Sequence, residues 1–320
     1  MFPPRLSFAH LPTPIEALPR LSRALGGPQI FVKRDDQTGL AFGGNKTRKL
    51  EFLLAEAQAL GADHLVTAGA VQSNHCRQTA AAAARFGLRC TLVLFGDPPP
   101  KPEANLWLDH IFGANIRWTD RSRRDAMLEQ VFNELKERGE KPYLVPYGGS
   151  SPTGAFGYVF AMQEFLEQGM EFDAIVFASS SGGTQAGLVL GARLFGYRGR
   201  VIGISVDEPR PTLQRRVAAL VEQMAERLGQ NIVIRPEEIE VEDAWAAAGY
   251  GVLTEAEKEA IRLFARQEGL LLDPVYTGRA AAGLIGLIRR GDFAPHQRVL
   301  FWHTGGTPAL FASRYASILE

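Results

Sequence analysis

Residues 174–187 read Ala174-Ile175-Val176-Phe177-Ala178-Ser179-Ser180-Ser181-Gly182-Gly183-Thr184-Gln185-Ala186-Gly187. The short apolar run 174–178 reads as a buried strand, and a helical pattern occupies 185–194. Between them the paired glycines allow close backbone approach, so several N–H groups can point at one anion. The positive end of the following helix and the nearby hydroxyls add to this. No Gly-Lys-Ser/Thr follows, so this is not a Walker loop, and the absence of Gly-x-Gly-x-x-Gly weakens a dinucleotide reading. A tight strand-to-helix turn with serine capping is the plainer alternative.

Outward from this unit the same alternation runs through the chain. Strand-like runs lie at 29–33, 64–67, 90–95, 116–118, 143–145, 201–206 and 299–302. Helical spacing links Leu50, Leu53, Leu54, Ala57 and Leu60 before Gly61, and Leu213, Val217, Leu220, Val221, Met224 and Leu228. A capping box, Thr254-Glu255-Ala256-Glu257, opens a helix expected to stop at Gly269. Strands alternating with helices indicate an α/β protein with mainly parallel sheets. The stretch holding Pro12, Pro14 and Pro19 reads as an extended lead-in, and Pro98-Pro99-Pro100 as a turn. No repeat or flexible linker interrupts the pattern. Ligands of open parallel sheets sit beyond the carboxyl ends of the strands, so the loops entering helices are the places to search.

Composition narrows the partners. The 320 residues suggest about two domains, and 35 basic residues balance 35 acidic ones. That balance argues against nucleic acid or an anionic membrane surface as partner. The run Arg121-Ser122-Arg123-Arg124 meets Asp125 at once and reads as a solvated helix start. Two cysteines, Cys76 and Cys90, exclude a disulfide-dense scaffold and a four-cysteine zinc site; reduced thiols are expected. Met1-Phe2-Pro3-Pro4-Arg5 lacks the apolar core of a signal peptide, and no uncharged run is long enough to span a bilayer. A cytoplasmic globular protein is expected.

Four further loops carry candidate chemistry. Phe301-Trp302-His303-Thr304-Gly305-Gly306-Thr307 repeats the strand-to-glycine-turn pattern, and nothing with metal-ligand spacing accompanies His303. In Gly43-Gly44-Asn45-Lys46-Thr47-Arg48-Lys49-Leu50, Lys46 stands at a helix start, where the helix dipole disfavours an ammonium. That environment suits an amine that must lose its proton to form a Schiff base, although a basic surface helix start has the same spacing. Gln72-Ser73-Asn74-His75 enters an alanine-rich helix; Ser73 is a plausible N-cap, and the donors there can also hold a carboxylate. In Asp273-Pro274-Val275-Tyr276-Thr277-Gly278-Arg279, Tyr276 is either an acid/base or a packed aromatic.

Taken in chain order, these five loops resemble the D-cysteine desulfhydrase and 1-aminocyclopropane-1-carboxylate (ACC) deaminase family of pyridoxal-phosphate enzymes. The resemblance also covers Leu11-Pro12-Thr13-Pro14-Ile15-Glu16 and Pro146-Tyr147-Gly148-Gly149-Ser150, and so runs nearly the whole chain. It implies a tryptophan synthase β-subunit-like fold (fold type II) of two open parallel-sheet domains. Residues 1–48 and 154–320 would form a large cofactor-binding domain and residues 49–153 a small inserted one, with the cofactor in the cleft between. It implies that Lys46 bonds covalently to the cofactor, that Asn74 bonds its ring hydroxyl, and that Ser181, Gly182, Gly183 and Thr184 cradle its phosphate. Gln72, Ser73, Asn74, His75 and Tyr276 would meet the substrate, with Ser73 and Tyr276 as candidates for proton transfer. Homodimerisation is a further implication.

Two positions separate the branches. ACC deaminases carry a glutamate after the active-site tyrosine and a leucine in the C-terminal loop, both near the pyridine nitrogen; here these are Thr277 and Thr304. A threonine can only hydrogen-bond that nitrogen, which leaves a weaker electron sink than a glutamate would. A weaker sink suits expulsion of a good β leaving group better than opening of a cyclopropane. The resemblance therefore implies a carbon–sulfur lyase, converting D-cysteine to pyruvate, hydrogen sulfide and ammonia. ACC, D-serine, β-chloro-D-alanine and cysteate are alternative substrates for such a lyase. A non-catalytic nucleotide-binding α/β module is the alternative of another class.

Overall fold

The computed structural model describes residues 2–319; Met1 and Glu320, the outer limits of the expected large domain, lie outside the described residues. The strands are β1 (Ile15–Ala17), β2 (Gln29–Lys33), β3 (His64–Ala70), β4 (Arg89–Phe95), β5 (Asn115–Thr119), β6 (Pro142–Leu144), β7 (Ala174–Ser179), β8 (Arg200–Ser205), β9 (Val241–Glu242) and β10 (Arg298–Trp302). They form two sheets. One has six strands in the order β1-β2-β10-β7-β8-β9, and the other four in the order β5-β4-β3-β6. Every pairing is parallel except β1 with β2, which run antiparallel with Ile15 opposite Lys33. The proline-rich lead-in is thus partly an edge strand, and β9 was not expected. At three and two residues, both are too short to show a period of their own.

The helices are α1 (Pro19–Leu25), α2 (Asn45–Ala59), α3 (Asn74–Arg85), α4 (Ala104–Ile111), α5 (Arg124–Glu137), α6 (Pro152–Glu167), α7 (Gly183–Phe195), α8 (Arg210–Arg227), α9 (Glu255–Glu268) and α10 (Thr277–Arg290). The capping box at Thr254 and Glu257 opens α9, and Gly269 closes it in a left-handed conformation. None of the described helices is long and apolar enough to cross a membrane.

Side chains of the central strands alternate between two buried faces. Val176, Val299 and Phe301 meet α1, α9 and α10, whereas Ile175, Phe177, Leu300 and Trp302 meet α6 and α7. This explains why the strands read as unbroken apolar runs rather than as alternating ones. The small sheet repeats the scheme: Leu65, Leu92 and Leu94 pack toward α2 and α3, and Val66 and Val93 toward α5.

Helix α2 is anchored between the two sheets. A Cβ added at Gly157 of α6 would lie 2.4 Å from the Arg48 carbonyl oxygen, so only glycine lets these helices approach so closely. A buried ionic cluster lies beneath. Arg48 pairs with Asp35 at 2.8 Å and with Glu164 at 2.8 Å, and Lys33 reaches Glu164 at 2.6 Å. Asp35 also accepts from the Tyr158 hydroxyl at 2.7 Å and the Thr13 hydroxyl at 2.8 Å. The lead-in, β2, α2 and α6 are held together at that point.

Candidate active site

The loops at the carboxyl ends of both sheets converge on one cleft, with about 630 Å³ of empty space, part of it open to solvent. From the α2 start it receives Asn45 and Lys46, and from the α3 start Ser73, Asn74 and His75. The β7–α7 turn contributes Ser181, Gly182 and Thr184, and the C-terminal loops contribute Tyr276 and Thr304. Gln72, Gly183 and Thr277 are not among its lining residues.

Lys46 is the second residue of α2, and its Nζ donates to the Gly148 carbonyl at 3.0 Å. Burial lowers its pKa to about 8, while a hydrogen bond with Lys49 works in the other direction. The lowered value expected from the helix-start position is thus caused by burial. Lys49, one turn on, donates to the same carbonyl at 3.2 Å and to Ser150 Oγ at 3.1 Å. Burial, and then the charge of Lys46, hold it well below the usual lysine range. No acidic group among the described residues offsets either amine.

Beyond Lys49, hydroxyls and backbone amides continue the cleft wall. Ser150 Oγ and Ser181 Oγ lie 2.7 Å apart, and the Gly183 amide donates to Ser150 Oγ at 3.1 Å. Gly182 takes φ +85°, which turns the chain into α7 and presents the amides of its first turn. Asn45 Nδ2 donates to Thr184 Oγ1 at 3.0 Å and ties this turn to the start of α2. Ser179 Oγ is buried with no hydrogen-bond partner among the described residues. Two buried amines that no acid among the described residues offsets, four hydroxyls and a helix N-terminus form a donor set suited to a doubly charged anion.

Ser73 caps α3 as expected, accepting from the Cys76 amide at 3.1 Å. His75 Nε2 lies 2.8 Å from Thr67 Oγ1, whose hydroxyl donates to the Val145 carbonyl at 2.8 Å. Nε2 must therefore carry the proton, and burial followed by the charges of Lys46 and Lys49 keeps the ring neutral. The Tyr276 hydroxyl meets that of Tyr250 at 2.8 Å. Burial pushes both phenols well above their usual range, so the pair serves as a neutral hydrogen-bonding unit.

Two expected site residues point elsewhere. The Gln72 side chain turns to α4, accepting from the Asn105 amide at 2.9 Å and donating to the Glu103 carbonyl at 3.2 Å. The Thr277 hydroxyl donates to Asp273 Oδ1 at 2.8 Å as α10 begins. Conversely, Lys49, Ser150 and Tyr250 were given no role from sequence, and neither were Tyr147 and Gly148, which line the cleft. Among the described residues no group of three or more His, Cys, Asp or Glu could hold a metal ion.

Comparison with known proteins accords with this geometry. The family model described as pyridoxal-phosphate dependent enzyme matches residues 6–305. D-cysteine desulfhydrases of Salmonella typhimurium and Salmonella typhi are 44% identical over 318 residues, covering 97% of this chain and 96% of theirs. A solved structure of an ACC deaminase homologue superposes with TM-score 0.91 at 40% identity, covering 99% of this chain and 96% of that one. An L-serine ammonia-lyase from Rhizomucor miehei shares the fold at TM-score 0.70 and 16% identity, covering 98% of this chain and 99% of that one. A cleft that holds a buried lysine beside an anion cradle, on a chain matched almost from end to end, leads to one assignment: the protein belongs to the pyridoxal-phosphate-dependent enzyme family.

Proposed function

We propose that this enzyme is a D-cysteine desulfhydrase, converting D-cysteine and water to pyruvate, hydrogen sulfide and ammonia. The observation that carries the chemistry is the Lys46–Lys49 pair, buried against the Ser150–Ser181 cradle with no acid among the described residues to offset it. The choice of substrate follows the likeness to the Salmonella enzymes and the threonines at 277 and 304, where neither side chain is an acid.

The residues present fit pyridoxal phosphate. The Ser181–Thr184 turn, Ser150 and Lys49 match a phosphate, Lys46 matches the aldehyde carbon, and the Asn74 amide matches a ring oxygen. When bound, the cofactor supplies an electron sink that lets the substrate Cα–H bond ionise. Lys46 Nζ, with a pKa of about 8, is suited to take that proton near neutral pH. Ser73 and the amides opening α3 hold the substrate carboxylate against the positive end of that helix. Tyr276, braced by Tyr250, bounds the substrate side of the cleft and can hydrogen-bond a departing group.

A large domain of residues 1–48 and 154–320, with residues 49–153 as the inserted small domain, fits the two separate sheets. A cytoplasmic setting is supported by two free, buried cysteines. A homodimer is supported by the exposed Trp107 and Ile111 on α4 and the exposed Phe311 on the turn packed against that helix.

The amine must be neutral to join the cofactor. Below its pKa of about 8, the rate at which cofactor-free protein takes up pyridoxal phosphate should rise about tenfold per pH unit, and level off above it. Stopped-flow absorbance of the bound chromophore measures this.

Sulfide, pyruvate and ammonia assayed across D-cysteine, L-cysteine, D-serine and ACC test the reading. Equimolar products from D-cysteine, far faster than from the others, are expected. Preferred turnover of ACC would overturn the substrate, and a colourless protein that cannot be reconstituted would favour the binding module.

A further inference from the structure

The loop 72–74 is held from behind by Arg77 and Asn105, to which nothing above assigns a functional role. Arg77 is fully buried on α3, and its Nη1 donates to Asn74 Oδ1 at 2.9 Å and to Asn105 Oδ1 at 2.8 Å. A guanidinium only donates, so both amides must present oxygen to it. Asn105 Nδ2 is thereby aimed away from Arg77, and it donates to Asn74 Oδ1 at 3.0 Å and to the Gln72 carbonyl at 2.9 Å. Both lone pairs of Asn74 Oδ1 are then used. Its Nδ2 is the one remaining polar group on that side chain, and it donates to no protein group among the described residues.

We infer that Asn105, oriented by Arg77, is a positioning residue that locks the Asn74 amide with its NH2 group toward the cofactor. This rests on the reading of Asn74 as a ligand of the cofactor ring. Three further observations support it. The Asn105 backbone amide donates to Gln72 Oε1 at 2.9 Å and the Glu103 carbonyl accepts from Gln72 Nε2 at 3.2 Å, so the start of α4 grips the whole loop. Ala104, between those two contacts, takes φ +51°, a conformation that costs a non-glycine residue energy and persists where the surroundings impose it. Arg77 Nη2 also donates to the Gly43 carbonyl at 3.0 Å, just before the helix that carries Lys46. One guanidinium thus sets the Asn74 amide and the approach to Lys46 together.

Asn105→Asp tests the lock with little change of shape. Its carboxylate still accepts from Arg77 but cannot donate to Asn74 Oδ1. The variant should bind pyridoxal phosphate, yet the pH midpoint of its visible absorption band should move by about half a unit or more. The kcat for D-cysteine should fall about five- to tenfold, the scale of one hydrogen bond, with KM little changed. Asn74→Ala should show the spectral shift already, and adding Asn105→Asp to it should move the midpoint no further. A wild-type midpoint in Asn105→Asp, or a full additional shift in the double variant, would overturn the inference. Asn105→Ser, which removes the amide donor without adding charge, decides the same comparison if the aspartate variant does not fold. Failure of the wild-type protein to bind pyridoxal phosphate would instead overturn the reading on which the inference rests.

Discussion

Lys46→Ala is expected to leave a folded protein that releases sulfide from D-cysteine at least about a thousandfold more slowly than wild type, because both the covalent anchor and the base at Cα are removed. The substitution should not cost stability. Lys46 donates to the Gly148 carbonyl and shares a hydrogen bond with Lys49, and in its absence Lys49 continues to satisfy that oxygen. Removing one of two adjacent buried amines also relieves their mutual repulsion. Lys49 is not expected to substitute, since its Nζ is held 3.1 Å from Ser150 Oγ, beside the anion cradle. Sulfide release, together with the thermal midpoint of the cofactor-free protein, checks both halves of the expectation. Activity within about tenfold of wild type would remove Lys46 from its role.

Asp35→Ala is expected to destabilise the fold by about 3–5 kcal/mol, the usual cost of leaving one member of a buried ion pair uncompensated. Asp35 is fully buried and accepts from Arg48 Nε at 2.9 Å, Arg48 Nη2 at 2.8 Å and the Tyr158 and Thr13 hydroxyls. Its loss leaves the Arg48 guanidinium, two residues from Lys46 on the same helix, with the Glu164 carboxylate and the Thr13 hydroxyl. Burial raises the Asp35 pKa, but the Arg48 charge outweighs it, so the carboxyl lies at about 2 rather than at its ordinary 3.8. The folded-state value is depressed, so this stabilisation is present above pH 3.8 and is lost as pH falls through about 2. Urea midpoints measured between pH 2 and pH 6 should show the wild type losing this increment at the acid end. The variant should lack it throughout.

What could be read from the chain alone was whatever is local in sequence. The turn at Gly182 and Gly183, the helix starts at Lys46 and Ser73, and the capping box at Thr254 each declare themselves within a few residues. Long apolar strands such as β7 did so as well, because both of their faces are buried. Roles set by distant partners were not legible. Lys49 has the spacing of an exposed basic residue, and only the packing of α2 against α6 and the Tyr147–Gly149 turn buries it. Gln72 is drawn away from the cleft by Asn105, thirty-three residues later. The Thr277 hydroxyl is engaged by Asp273, whose carboxylate gathers the amides of residues 275–277. Tyr250 lies in an irregular segment without period or motif, yet its hydroxyl reaches Tyr276. The five loops could be listed from sequence, but their convergence is a property of two sheets pointing their carboxyl ends at one cleft.

The amine at the start of α2 is the group assigned to hold the cofactor. Borohydride reduction of the coloured protein, followed by proteolysis and mass spectrometry, addresses that assignment directly. The visible band should disappear, and a pyridoxyl phosphate mass should be found on Lys46 alone. A label on Lys49 or Lys33 in its place, or a coloured protein that acquires no label, would contradict it.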